Sequence, residues 1–233
     1  MKILISNDDG YNALGIGALL EVLSKEHEVV GVAPNQNRSG ASHSVTLGKS
    51  VTFNKEGEGL YSCSGTPADC IFYSLLGAID FKPDLILGGI NHGPNLGTDV
   101  IYSGTVAIAR QAALNKIPSM ALSYCSYSRS DMFVTCATAF AQKLNWLVGL
   151  LKEGHYLNIN FPKEVSVVSP WKQAILSDRR YQDYINLKRE GNGSYNCSLC
   201  GKPINLEQEA SNSDWVLTNN SYVTYTLLKA SQL

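Results

Sequence analysis

The sequence predicts an α/β protein: a mainly parallel sheet with helices on both faces, followed by C-terminal β-hairpin extensions. Three observations predict it. Short apolar runs alternate with segments of helical period. Most of those runs end in turn chemistry, as Asn-Asp-Asp-Gly, Pro or a Gly-rich stretch. Beyond about Val165 the alternation loosens, and segments rich in Tyr, Asn and Ser separate β-like runs such as Tyr222 to Leu228. Strands alternating with helices pair in parallel and are buried on both faces.

Each element has its own justification. Met1 to Ser6 is apolar and stops at Asn7-Asp8-Asp9-Gly10, so it reads as a buried strand. Ile16, Leu19, Leu20 and Leu23 then recur on one helical face. His27 to Ala33 is a second apolar strand, stopped by Pro34, and a polar loop runs from Asn35 to Ser44. Thr66-Pro67-Ala68-Asp69 is a helix start, with Thr as cap, Pro at the first helical position and an acid at the third. Leu85 to Leu87 is a further strand, opening into a Gly- and Asn-rich loop from Gly88 to Ser103. A small-residue helix follows over about Gly104 to Asn115, then a strand over Ser119 to Ser123. Phe133, Ala137, Phe140, Leu144, Leu147 and Leu151 mark a long amphipathic helix, and Leu157 to Phe161 a strand ended by Pro162. The expected organisation is one domain over 1–233, with a core over about 1–162 and a hairpin or oligomerisation segment over about 163–233.

Composition narrows the class. The chain has 233 residues, 44 % hydrophobic, and a formal net charge of −1. That balance argues against a nucleic-acid-coating or membrane-surface protein. Met1 to Ile5 is too short for a signal peptide, and no apolar stretch is long enough to span a bilayer, so a cytoplasmic protein with reduced thiols is expected. Among the six cysteines, Cys197-Ser-Leu-Cys200 has metal-ligand spacing, but zinc needs about four ligands and no second close pair follows.

Three loops carry the chemistry. The first holds Asp8 and Asp9, the second Ser39, and the third Asn91, Asn95, Ser103, Gly104 and Thr105. All follow strands, so a parallel sheet brings them to one edge, where open α/β sheets bind ligands. Two adjacent carboxylates repel unless a cation or strong donors hold them. Carboxylates, a hydroxyl and an amide oxygen form an all-oxygen set that suits Mg²⁺, Mn²⁺ or Ca²⁺ and disfavours zinc or copper. Ser103-Gly104-Thr105 opens a helix, where free N–H groups and two hydroxyls make an anion site. A metal beside a phosphate cradle points to phosphoryl transfer to water.

Taken singly, each element has a plainer explanation. Acids after a strand cap turns, Ser39 suits a loop hydrogen bond, and Asn91 and Asn95 suit left-handed turns. Ser103, Thr105 and Thr66 suit helix caps, and His43 a loop hydrogen bond, although its ordinary pKa would suit proton transfer. The signal is their convergence at one edge.

Together these residues resemble a known family. Asn7-Asp8-Asp9-Gly10, Ala33-Pro34 with Ser39-Gly40 and Ser42-His43-Ser44, Gly65 to Cys70, Gly89-Ile90-Asn91 with Gly93, Asn95-Leu96-Gly97, and Tyr102 to Val106 look like the SurE family of metal-dependent 5′-nucleotidases. The likeness runs in register over about Met1 to Ser123, continues through Asn158 to Pro162 and fades beyond. It implies a Rossmann-like fold and hydrolysis of nucleoside monophosphates, sometimes of short polyphosphate. It implies one divalent metal on Asp8, Asp9, Ser39 and Asn91, with Asn95, Ser103 and Thr105 bordering the phosphate and Gly104 giving backbone access. It also implies homodimers or homotetramers that exchange C-terminal hairpins. The expected catalytic residues are Asp8 and Asp9, with in-line attack by water, or by Asp8 as nucleophile, left open.

The chain departs from the family pattern in places. Arg110 and Gln111 stand where an acid and a glycine are usual, Asp178 where a glycine precedes Arg179-Arg180, and Ser221 where Gly-Tyr-Val is usual. Thr226-Leu227-Leu228 replaces Thr-Pro-Leu. These departures bear on substrate preference and subunit arrangement, and they keep a non-catalytic nucleotide-binding protein on the same fold as the alternative. Two other classes fit less well. A haloacid-dehalogenase-type phosphatase needs Asp-x-Asp, where this chain has Asp9-Gly10-Tyr11, and a dinucleotide fingerprint needs a third glycine where Leu20 stands.

Overall fold

A computed structural model describes residues 1–128, 131–191, 193–204 and 209–232. The first strand, β1 (Lys2–Ser6), leads through the Asp8-Asp9 turn into α1 (Leu14–Leu23) and β2 (Glu28–Pro34). A hairpin follows, β3 (Phe53–Gly57) and β4 (Leu60–Cys63), then α2 (Pro67–Tyr73), which continues into a π-helical turn over Ser74–Ala78. Next come β5 (Leu85–His92), a 3₁₀ helix over Gly97–Ile101, α3 (Gly104–Leu114), β6 (Ser119–Tyr124), α4 (Phe133–Leu150) and β7 (His155–Phe161). The C-terminal part holds β8 (Trp171–Gln173), the long pair β9 (Arg180–Arg189) and β10 (Tyr195–Ile204), α5 (Asp214–Asn219) and β11 (Val223–Lys229).

Nine strands form one sheet in the order β3-β4-β2-β1-β5-β6-β7-β11-β8. The run from β4 to β7 is parallel throughout, while β3 and β11 pair antiparallel with their inner neighbours. Side chains of β1 alternate between two cores, as a strand period of two requires. Ile3 and Ile5 enter a cluster with α1 and α4, and Leu4 enters one with α2 and α3. Each such fully buried side chain contributes about 1.5–3 kcal/mol relative to exposure. α1 lies flush on the sheet because its second residue is Gly15, where a Cβ would sit 1.9 Å from the Ile90 carbonyl oxygen.

The chain leaves β1 toward β2 on one side and returns to β5 on the other. That switch point opens a crevice at the carboxyl ends of β1 and β5, the place where such sheets take ligands.

Several sequence expectations need correction. β5 does not stop at Leu87 but runs to His92, across a register shift against β6 between Gly88 and Asn91. Two glycines hid this continuation, and Asn91 therefore stands in a strand end. The hairpin of β3 and β4 went unread because β3 is a largely exposed edge strand of Asn, Lys and Glu. The C-terminal part is not hairpins alone: β8 and β11 extend the main sheet, α5 is a helix, and only β9 and β10 form a separate two-stranded ribbon.

α5 ends in a Schellman arrangement. The Ser221 N–H reaches the Thr218 carbonyl at 3.0 Å and the Tyr222 N–H the Leu217 carbonyl at 3.1 Å. This places Ser221 at φ 63°, in the left-handed region where a side chain costs about 1–2 kcal/mol and glycine is favoured. Ser221→Gly is expected to raise the unfolding free energy in urea by about 1 kcal/mol. An unchanged or lower value would contradict this reading of the turn.

Candidate active site

Asp8 and Asp9 leave β1 into the crevice. Asp8 is only 3 % exposed. Its Oδ1 accepts the Thr105 hydroxyl at 2.5 Å, and backbone N–H groups of Gly104 and Thr105 also favour its charge. Burial outweighs them and holds the Asp8 carboxyl above its ordinary value. Burial, then the neighbouring charge of Asp8, push Asp9 up to about 6, against the opposing His92 N–H that reaches its Oδ2 at 3.2 Å. Two acids are thus held together at a cost that a cation would relieve.

The helix facing them is made for close approach. Ser103 caps α3, its hydroxyl oxygen accepting the Val106 N–H at 3.0 Å. At Gly104, the first helical residue, a Cβ would stand 2.8 Å from the Asp8 Cβ and 2.9 Å from Pro67 Cγ. Any larger residue would part the helix start from the carboxylate.

The two other loops are tied to the same place. The Arg38 N–H reaches the Asp8 carbonyl at 2.7 Å, which fixes the segment presenting the exposed Ser39. Further along, Ser42 is bonded through its N–H to Tyr102 and through its hydroxyl to Ile101. His43 Nε2 lies 2.9 Å from Gln111 Oε1, so the unusual Gln111 anchors this loop to α3. Burial lowers the His43 pKa, against the hydrogen bond to Gln111 and with Arg110 acting in the same direction as burial. Asn91 gives its amide N–H to the Gly93 carbonyl at 2.9 Å, leaving its oxygen as the end available to a cation.

The donor chemistry fits a hard divalent ion. Two carboxylates, the Ser39 hydroxyl and the Asn91 amide oxygen are all oxygen donors. No group of three or more His, Cys, Asp or Glu suited to a metal occurs among the described residues. The Cys197-x-x-Cys200 spacing falls on strand β10 at i and i+3, which directs the two thiols to opposite faces. They do not form one chelating pair.

Asn95 is deeply set, held through its backbone and its amide nitrogen. Its N–H reaches Asn160 Oδ1 at 2.9 Å, its amide nitrogen Ser123 Oγ at 2.7 Å, and its carbonyl accepts from Asn158 and Asn160 at 2.8 and 3.0 Å. Ser123 and Asn160 lie at the carboxyl ends of β6 and β7 and Asn158 in the middle of β7, and the three were not read as support for the site. Their signal was polar residues at alternate positions of otherwise apolar strands.

The C-terminal part braces the third loop. Asp214 is fully buried and accepts the N–H groups of Gly97 at 2.8 Å, Ser177 at 3.0 Å and Trp215 at 2.8 Å. Asp99 meets Arg179 Nε at 3.1 Å and accepts the Tyr181 hydroxyl at 2.8 Å. The Thr98 hydroxyl donates to the Arg179 carbonyl at 2.5 Å. Arg179 also lies over the Trp215 ring, 4.8 Å from its centroid. These contacts hold the 3₁₀ helix that precedes Ser103.

The comparisons agree with this geometry. Residues 3–183 match the family model described as Survival protein SurE. A relative from Kosmotoga olearia named 5′-nucleotidase SurE is 35 % identical, over 99 % of this chain and 92 % of its own length. One of the same name from Thermosipho melanesiensis is 36 % identical, over 97 % of this chain and 90 % of its own. The crystal structure of the SurE protein from Aquifex aeolicus superposes with a TM-score of 0.85 at 32 % identity, covering 100 % of this chain and 95 % of that one. A shared fold, the match over most of the chain and a crevice built from the motif residues together place the chain in the SurE family.

Proposed function

We propose that this chain is a metal-dependent phosphomonoesterase that hydrolyses nucleoside 5′-monophosphates to nucleoside and phosphate. One observation carries the reading. Two adjacent carboxylates stand at the sheet's switch point and the buried one, Asp8, touches the N-terminus of α3, so a cation site and an anion site share one wall. Long relatives named 5′-nucleotidase SurE support it.

Asp8, Asp9, Ser39 and Asn91 would hold the cation, Mg²⁺, Mn²⁺ or Ca²⁺. When bound, such an ion supplies Lewis-acid polarisation of a phosphoryl oxygen and a more acidic water. The protein's own residues then do the following. Thr105 holds the Asp8 carboxylate in one orientation by its hydroxyl. The N–H groups of Gly104 and Thr105 hold the Asp8 carboxylate, while the Ser103 hydroxyl proton and the positive end of α3 would stabilise charge on the equatorial phosphoryl oxygens as it develops. Asn95, locked by Ser123, Asn158 and Asn160, sets the loop that borders the phosphate. A homodimer or homotetramer fits the β9–β10 ribbon, which exposes Tyr184, Ile185, Leu187 and Tyr195. Among the described residues no helix is long and apolar enough to cross a membrane.

The test is phosphate release from a panel of nucleoside 5′-monophosphates and 4-nitrophenyl phosphate with Mn²⁺ or Mg²⁺, then with excess chelator. Release from nucleotides that chelator abolishes and added metal restores is expected. Release unaffected by chelator, or none from any nucleotide, would overturn the reading.

A further inference from the structure

The loop that carries Ser39 is fastened beyond its contacts with α3. Ser42 and His43 tie it to the end of the 3₁₀ helix and to α3. Two further fastenings tie it to α2. The Thr66 hydroxyl donates to the Ser44 carbonyl at 2.6 Å. Asp69 then accepts twice from Thr46, the N–H at 2.9 Å on Oδ1 and the hydroxyl at 2.6 Å on Oδ2.

Asp69 does more here than cap a helix. Its bond to the Thr66 N–H, at 2.8 Å, completes the capping box of α2 and uses only part of its acceptor capacity. A capping acid works at a surface, yet Asp69 is fully buried, and the rest of its capacity goes to Thr46. Among the described residues, only the Thr46 bonds hold this loop to a carboxylate; the others end on carbonyl and amide oxygens. Bonds to a carboxylate are about twice as strong as neutral ones. The loop needs such holding. Ser42 stands at φ 54°, in the left-handed region that a residue with a side chain keeps only when its surroundings impose it. Ser39 is exposed, and its own N–H goes to Asn37 Oδ1 at 2.9 Å.

We propose that Asp69 and Thr46 form a clasp that positions Ser39 for the metal; both are positioning residues outside the donor set. This deepens the cation reading of Asp8, Asp9, Ser39 and Asn91 and rests on it. A hydroxyl carries no charge, so it serves a hard cation only where the fold holds it in place. Groups that orient a metal's ligands are worth about 10–100-fold in metal affinity. The clasp also gives α2 a part in the site, since Pro67 in its first turn abuts Gly104 at the start of α3.

The experiment measures Mn²⁺ affinity of the metal-free, full-length protein by electron paramagnetic resonance. It compares the wild type, Thr46→Val, Thr46→Ser, Ser39→Ala and the double variant Thr46→Val/Ser39→Ala. Valine keeps the shape of threonine and removes the hydroxyl, and serine restores it. Circular dichroism and urea titration check that each variant is folded. Thr46→Val is expected to weaken Mn²⁺ binding about tenfold, and Thr46→Ser to stay within about twofold of wild type. On the Ser39→Ala background the valine change should cost no further affinity, because its route to the metal is gone. A merely structural role would give the same valine effect on both backgrounds, and that result overturns the clasp. So does an affinity in Thr46→Val within about twofold of wild type. Either leaves the cation reading intact. A wild type that binds no Mn²⁺ overturns that reading and the clasp with it.

Discussion

Asp8→Asn is expected to lower phosphate release by about 10³-fold or more while leaving the fold intact. Asparagine keeps the side-chain shape and an oxygen for the Thr105 hydroxyl, so the helix start stays in place. It removes the charge that a hard cation needs, and loss of charge stabilisation at such a centre is worth about 10²–10³ in rate before the weakened metal binding is added. Stability moves the other way. Burial holds the Asp8 carboxyl above its unfolded value near 3.8, so in metal-free protein the folded state binds protons that the unfolded state releases. Ionised Asp8 is therefore a cost above that window, a cost relieved as pH falls through it. The metal-free variant should melt no lower than metal-free wild type at pH 7, and its melting point should gain less on acidification. A variant retaining a tenth of wild-type activity would remove Asp8 from the chemistry.

Asp214→Ala is expected to lower the unfolding free energy by about 4 kcal/mol and kcat by about tenfold. Three backbone N–H groups converge on this one carboxylate, from residues 97, 177 and 215. Alanine leaves them buried without an acceptor, at about 1–3 kcal/mol each before relaxation. The same change frees the 3₁₀ helix before Ser103, so catalysis suffers although Asp214 lies outside the crevice's donor set. Asp214→Asn, which keeps one acceptor oxygen, should fall between. Urea titration and steady-state kinetics on the two variants check this, and a stability loss below about 1 kcal/mol would show that Asp214 braces nothing.

The loops that meet at the crevice were more legible in the sequence than the contacts that brace them. Asp8, Asp9, Ser39, Asn91 and the Ser103-Gly104-Thr105 turn all follow apolar runs, so local pattern and sheet logic sufficed to place them at one edge. Thr66-Pro67-Ala68-Asp69 was equally readable, because a capping box is a contact three residues long; the Thr66 side chain accepts the Asp69 N–H and the Asp69 side chain accepts the Thr66 N–H. What escaped was carried by distant partners. Asp214 meets Gly97 across 117 positions, and Asn160 meets Asn95 across 65. No periodicity marks such pairs. β5 was cut short because Gly88 and Gly89 look like a loop, although Gly88 pairs with both β1 and β6 and the pairing with β6 resumes at Asn91. α5 is six residues long, too short for a helical period to declare itself. Gln111 looked only like a departure from a pattern, and the structure gives it a partner in His43.

The central claim is that the carboxylate pair at the end of β1 is a cation site. Mn²⁺ titration of metal-free protein, followed by electron paramagnetic resonance, tests it most directly in wild type and in Asp9→Asn. The account predicts one site per chain in the wild type, weakened at least a hundredfold in the variant, whose fold is unchanged. Equal Mn²⁺ affinity in the two proteins would contradict it and place the metal elsewhere.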